Sequence, residues 1–407
     1  MIRTREQLIH ILTEAAEIEH NLLCSYLYAV FSLKRAGEPE VTEAQGAVLE
    51  RWRRGILGVA LEEMAHLACV NNLLIAVGGA PHFDRPNLPV APGYHPAELV
   101  VRLTPFDRAT LDHFIFLERS DGVVCEDGAG FVANGSERRT VVQHGLTPSA
   151  QDYRTVGALY DAIAEGFREL AERLGEAALI DPEGRSQVDS ELVGLPDISK
   201  VTDLETALTV ISHIKEEGEG STGEHVHSHF TRFCAIRAEW DKIELEYPSF
   251  SPAWPVAHDP VMRRPADEGA RVWVTEQKAA AHLDLANALY GTMLSLLAQS
   301  FGGSKREEQR VLMKASVELM EASAAVSVAL ARMAANPAYP GVNAGMTFAV
   351  PRNVAYRPLA TKARMLFLER LLELRASAEL MLEGQTAEKA LRRINAAADM
   401  IKKAGTE

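Results

Sequence analysis

The sequence predicts a mainly α protein: a four-helix bundle with an irregular loop and short-strand insertion, followed by a C-terminal helical extension. Three observations predict it. Apolar residues recur at three- and four-residue steps through several long segments. Residues 80–150 interrupt that period with Pro, Gly and Asp. A proline-rich stretch over 248–268 separates two helical regions. The expected units are a bundle over 1–247 with its insertion at about 80–150, a linker over 248–268, and a helical region over 269–407.

Residues 4–36 read as one helix. Leu8, Leu12, Ala15, Ile18, Leu22, Tyr26 and Val30 give its apolar period, and Gly37, Glu38 and Pro39 end it. A second helix spans about 43–77 and stops at Gly78-Gly79-Ala80-Pro81. Within the insertion, "ELVVRL" (98–103), "FVANG" (131–135) and "RTVVQ" (139–143) read as short strands. Helical period returns over 155–175 and again over about 203–217, and "TRFCAIRAEWDKIELE" resumes it. Beyond Pro248, Pro252, Pro255, Pro260 and Pro265, helices are expected over 272–301, 305–335, 359–383 and 387–404, with a loop at 336–353.

Composition narrows the function. At 47% hydrophobic, the chain can bury a large core and does not resemble a disordered one. A formal net charge of −14 argues against a nucleic-acid partner and against an anionic membrane surface. "MIRTREQLIHILTEA" carries charges throughout, so no signal peptide is expected. No uninterrupted apolar run of about eighteen residues is found, so no membrane span is expected. Cys24, Cys69, Cys125 and Cys234 are far apart and form no CxxC pair. They read as free thiols in a reducing cytoplasm, with Cys24 and Cys69 as small core residues.

The chemistry lies in the first region. "ALEEMAHLACVNNLL" (60–74) is an apolar helix that still carries Glu62, Glu63 and His66. Glu63 and His66 are three apart and share a helical face, so one metal ion can take both. Burying an unpaired carboxylate costs several kcal/mol, roughly, and a metal would compensate. The other reading puts both glutamates on a solvent edge. In the first helix Glu17, Glu19 and His20 precede an apolar stretch; Glu17 and His20 form another ExxH, and Glu19 shares a face with Tyr26. Either glutamate could point inward. The third helix offers Glu165, near its middle, with Glu169 and Glu172 as competitors. The fourth lacks ExxH. It has Glu216, Glu217 and Glu219, then His225, His227 and His229, among Gly218, Gly220 and Gly223. Those glycines favour a bulge or break. Glu216 and Glu219 have the i,i+3 relation, and His229 could reach back from beyond the break. The HxHxH run could instead be a surface site for adventitious zinc or nickel.

The ordered set "EIEHNLLCSYL", "LEEMAHLACVNNLLIAVGGAP", "TVGALYDAI", "IKEEGEG" and "SHFTRF" resembles the ferritin-like domain of the violacein-biosynthesis iminophenylpyruvate dimer synthase type, also found in stand-alone bacterial proteins. The resemblance covers roughly residues 1–250, and "NALYGTMLSLL" with "NAGMTF" is similar to the helical extension that follows that domain. It implies a four-helix bundle around a dinuclear metal site. Two irons per chain are expected, with manganese the other candidate. In more distant rubrerythrin-like proteins a first-helix Glu precedes a Tyr by seven residues, which favours Glu19 before Tyr26. The expected ligands are Glu19, Glu63, His66, Glu165, Glu216 and His229, with Glu219 in reserve. The expected function is a non-haem di-iron oxidoreductase. It would use O₂ or peroxide on a small organic molecule, such as an amino-acid-derived imine. The alternative is a metal-binding or iron-storage protein without organic substrate. The expected partner is that small molecule, with homo-oligomer formation left open.

Overall fold

The structure, a computed structural model, describes residues 2–404 apart from 39, 91–93, 96–98, 121, 132–152, 219–226, 267–270 and 303–304. Its helices are α1 (Arg5–Ser32), α2 (Glu43–Ala76), α3 (Arg108–Leu117), α4 (Val156–Leu174), α5 (Glu176–Leu179), α6 (Ser190–Val193), α7 (Leu204–Gly218), α8 (His229–Glu246), α9 (Gln277–Gly302), α10 (Arg306–Leu330), α11 (Ala360–Met381) and α12 (Gly384–Lys403).

Local chemistry sets the helix ends. The Thr4 hydroxyl accepts from Gln7 N at 3.1 Å and opens α1. Thr42 and Gln45 form a reciprocal capping box that opens α2. Gly78, at φ +88°, ends the turn after α2, a conformation that disfavours any side chain. Thr155 caps α4 and Ser228 caps α8.

α1 packs along α2, and α4 along α7; α1 also meets α4, and α2 meets α7, closing a four-helix bundle. α8 lies against α2 and α3. The aromatic rings of Tyr26, Phe114 and Phe233 join α1, α3 and α8. α9 and α10 pair, and α11 and α12 complete the C-terminal layer. One continuous apolar core includes residues of both helical regions. The Pro-rich segment contributes to it through Ala253 and Val256. Gly345 sits against the Tyr28 ring, where an added Cβ would lie 2.0 Å from the phenolic oxygen.

One expectation is corrected. The described residues contain isolated β-bridges but no strand. Leu99–Leu103 forms no strand: Leu103 pairs with Asp259, and the Val100 and Arg102 carbonyls accept from the His113 and Ser25 side chains instead of a neighbouring strand. "RTVVQ" and most of "FVANG" lie outside the described residues. The insertion also contains α3, capped by Asp107. α2 is by length and composition apolar enough to cross a membrane. In this fold 78% of that apolar window is buried inside the protein, as a core helix requires.

Candidate metal centre

α1, α2, the end of α3 and the start of α8 bring five buried side chains to one point. His66 Nδ1 lies 3.3 Å from Glu63 Oε2 and 3.7 Å from Glu19 Oε2. His229 Nδ1 lies 3.1 Å from Glu63 Oε1 and 3.5 Å from Glu118 Oε2. The two oxygens of Glu63 thus face two histidines, whose ring centroids are 5.5 Å apart. In each group, Glu19–Glu63–His66 and Glu63–Glu118–His229, the potential ligand atoms lie within 4.8 Å of one another.

A second ring of groups orients the first. His66 Nε2 donates to Glu217 Oε2 at 2.9 Å, and His229 Nε2 donates to Glu62 Oε2 at 2.9 Å. Carboxylates only accept, so the outer nitrogens carry protons, and a neutral ring turns its Nδ1 lone pair inward. Arg232 pairs with Glu62 and fixes that carboxylate in turn. The Tyr160 hydroxyl donates to Glu19, and the Tyr26 hydroxyl donates to Glu118.

The electrostatics call for positive charge. Burial and the nearby Glu63 push the Glu19 carboxyl up to about 7. Burial opposes ionisation of Glu63 too, but the imidazoles of His229 and His66 beside it hold its pKa below the usual value. Burial would lower both imidazoles; the carboxylates around them raise them instead. Protons on the rings supply the missing charge when no cation does. His229 Nδ1 is buried and makes no hydrogen bond, although two carboxylate oxygens lie within 3.5 Å. A cation there would satisfy it. Three carboxylates and two imidazoles suit iron or manganese. Glu19, Glu63 and His66 could hold one ion and Glu63, Glu118 and His229 a second, with Glu63 shared.

An open cleft reaches these groups, walled by Leu22, Leu117, Val156, Tyr160 and Ile214. A neighbouring cleft shares Leu117 and Val156 with it. The second is lined by Ile18, Leu99, Phe116 and Leu159, with Arg119 and Arg154 among its walls.

The structure brings Glu19, Glu63, His66 and His229 together and leaves other expected ligands aside. Glu165 points away, 61% exposed and paired with Arg168 at 3.3 Å. The buried face of α4 runs through Tyr160, Ile163 and Phe167, and Tyr160 reaches the site instead. Glu216 is exposed and accepts from Ser212 on its own helix at 2.9 Å. The buried face of α7 runs through Val210 and Ile214, and Glu217 continues it one turn later. Glu219 and His225 lie outside the described residues. His227 is exposed. Glu17 and His20 occupy another side of α1: Glu17 accepts from His82 Nε2 at 3.2 Å, and His20 bonds Tyr290. Sequence reasoning missed Glu118, the residue after α3. Its signal was the run Leu111, Phe114, Leu117, a short amphipathic helix ending on a carboxylate.

The Ferritin-like family model matches residues 12–238. The chain is similar to dichlorochromopyrrolate synthase of Lentzea aerocolonigenes, 29% identical over 409 residues, covering 89% of this chain and 38% of that protein. It is also similar to 2-imino-3-(indol-3-yl)propanoate dimerase of Chromobacterium violaceum, 25% identical over 351 residues, covering 78% of this chain and 31% of that one. The chain therefore spans well under half the length of both relatives. A solved ferritin like protein from Caulobacter vibrioides superposes with a TM-score of 0.51 at 18% identity, covering 86% of this chain and 99% of that one, a likeness of fold. With the match spanning more than half of its length, this chain belongs to the Ferritin-like family.

Proposed function

We propose that the protein is a non-haem dinuclear-metal oxidoreductase, with iron as the metal, acting on a small organic acid of the 2-imino class. The observation that carries this reading is the shared Glu63, one carboxylate facing two inward-turned histidines beside an open cleft. Iron bound there would supply the oxidising chemistry of O₂ or peroxide. The chain's own residues do the rest. Leu22, Leu117, Val156 and Ile214 give the cleft an apolar wall against which an organic body can pack. Tyr160 and Tyr26 hold protons at Glu19 and Glu118, within reach of any proton the reaction takes up or releases.

The neighbouring cleft favours an acid with an apolar body. Arg154 is exposed at its wall, and its side chain makes no ion pair or hydrogen bond among the described residues. A substrate carboxylate would be its partner, with the organic body against Ile18, Phe116 and Leu159. The relative named as a dimerase of 2-imino-3-(indol-3-yl)propanoate is consistent with a substrate of that kind.

The test is O₂ uptake by iron-loaded protein supplied with aromatic 2-imino acids generated in place. Metal-dependent uptake with formation of an organic product is expected. Iron oxidation without any organic product would favour storage. Arg154→Ala should raise KM for the acid about tenfold with little change in kcat, the value of one charge-assisted contact. An unchanged KM would remove Arg154 from substrate binding.

A further inference from the structure

The outer nitrogen of His66 leads to a second group of ligand-type side chains. Glu217 Oε2, which bonds His66 Nε2, also lies 3.3 Å from His213 Nε2. His213 Nε2 is 3.9 Å from Asp197 Oδ2. The potential ligand atoms of Asp197, His213 and Glu217 all lie within 4.8 Å of one another. Atoms bound to one transition ion at 2.0–2.2 Å sit roughly 3–3.5 Å apart, so small side-chain shifts would complete a site.

Unlike the buried centre, this group opens to solvent: the side chains of Asp197, His213 and Glu217 are 57%, 32% and 24% exposed. Two of the three come from α7, four residues apart on one face, a spacing that lets both reach one ion. The third comes from the loop between α6 and α7, where Asp197 is held at φ +61°. His213 Nε2 is itself shielded from solvent and makes no hydrogen bond, despite the two carboxylates near it. That nitrogen has the position of a metal donor with its acceptor missing. The same helix, through Ile214, Lys215 and Gly218, walls the cleft that reaches Glu19 and Glu63.

We propose that Asp197, His213 and Glu217 form a third, solvent-open site for a divalent transition-metal ion, and that this site loads the buried centre. The loading role rests on the dinuclear reading; the site itself does not. Glu217 is the link, because one carboxylate touches both the outer imidazole and a buried one. An ion captured by His213 and Asp197 is concentrated beside His66, and movement of the Glu217 side chain hands it on toward the buried centre. Local concentration of this kind raises on-rates by about tenfold or more.

Cobalt(II) is the probe, titrated into the full-length chain after stripping with a chelator. His213→Ala should bind one ion fewer than the parent, and Asp197→Asn should do the same. The remaining ions should enter at least about tenfold more slowly at limiting cobalt, to the same final occupancy. Equal ion counts in parent and His213→Ala would overturn the site. A lost ion with an unchanged filling rate would overturn the loading role. Repeating the count in Glu63→Ala separates this proposal from the dinuclear reading. The outer ion should persist there and vanish when His213→Ala is added.

Discussion

Glu63→Ala should empty both halves of the metal centre and abolish oxidation, while the protein stays helical. Glu63 is the only residue common to both buried ligand groups found among the described residues. Its Oε2 faces His66 and its Oε1 faces His229. Removing it leaves each ion with one carboxylate and one imidazole, too few donors for a stable carboxylate–imidazole site. Alanine is the best helix former, so α2 loses nothing in propensity. Glu63→Gln, of nearly the same shape, should fail in the same way, which assigns the loss to charge and donor atoms rather than to a cavity. Metal analysis together with far-ultraviolet circular dichroism checks both. A variant with full metal and full activity would return Glu63 to a structural role.

His229→Ala should remove one ion and spare the other. His229 is fully buried at the first turn of α8 and serves only the half with Glu118. The half built from Glu19, Glu63 and His66 keeps its donors. About one ion per chain should remain, and an oxidation that needs two should be lost. His227→Ala is the comparison. Its ring is exposed, and its contribution to the fold is a backbone carbonyl that accepts from Arg232 Nε at 2.7 Å, a bond alanine retains. It should match the parent in metal content. The reverse pattern, loss with His227→Ala and none with His229→Ala, would move the binding element into the polar run before α8.

The helices were legible because their signals are local. Thr42 with Gln45, Thr155 and Gly175 sit where the periodic segments begin and end. Glu63 and His66 stood out because an apolar helix has little reason to bury charge. The ambiguity between Glu17 and Glu19 has a physical source: both satisfy a helical spacing, and only packing shows that Glu17 meets His82 while Glu19 meets Tyr160. Glu165 stands at the right height along α4, yet it lies on the wrong side of the stripe through Tyr160, Ile163 and Phe167. The same stripe argument on α7, carried from Val210 through Ile214, ends at Glu217 rather than Glu216. Glu118 could not be ranked from periodicity across the bundle, because it caps a ten-residue helix inside a stretch dominated by loop composition. Long-range contact, not local pattern, brings it to His229.

In the proposed centre one carboxylate, Glu63, is shared by two metal ions. Elemental analysis of parent and Glu63→Ala, produced with iron and desalted to remove any solvent-open ion, tests it most directly. The parent should hold about two ions per chain, mainly iron, and Glu63→Ala close to none. A parent free of transition metal, or a Glu63→Ala variant holding as much as the parent, would contradict it.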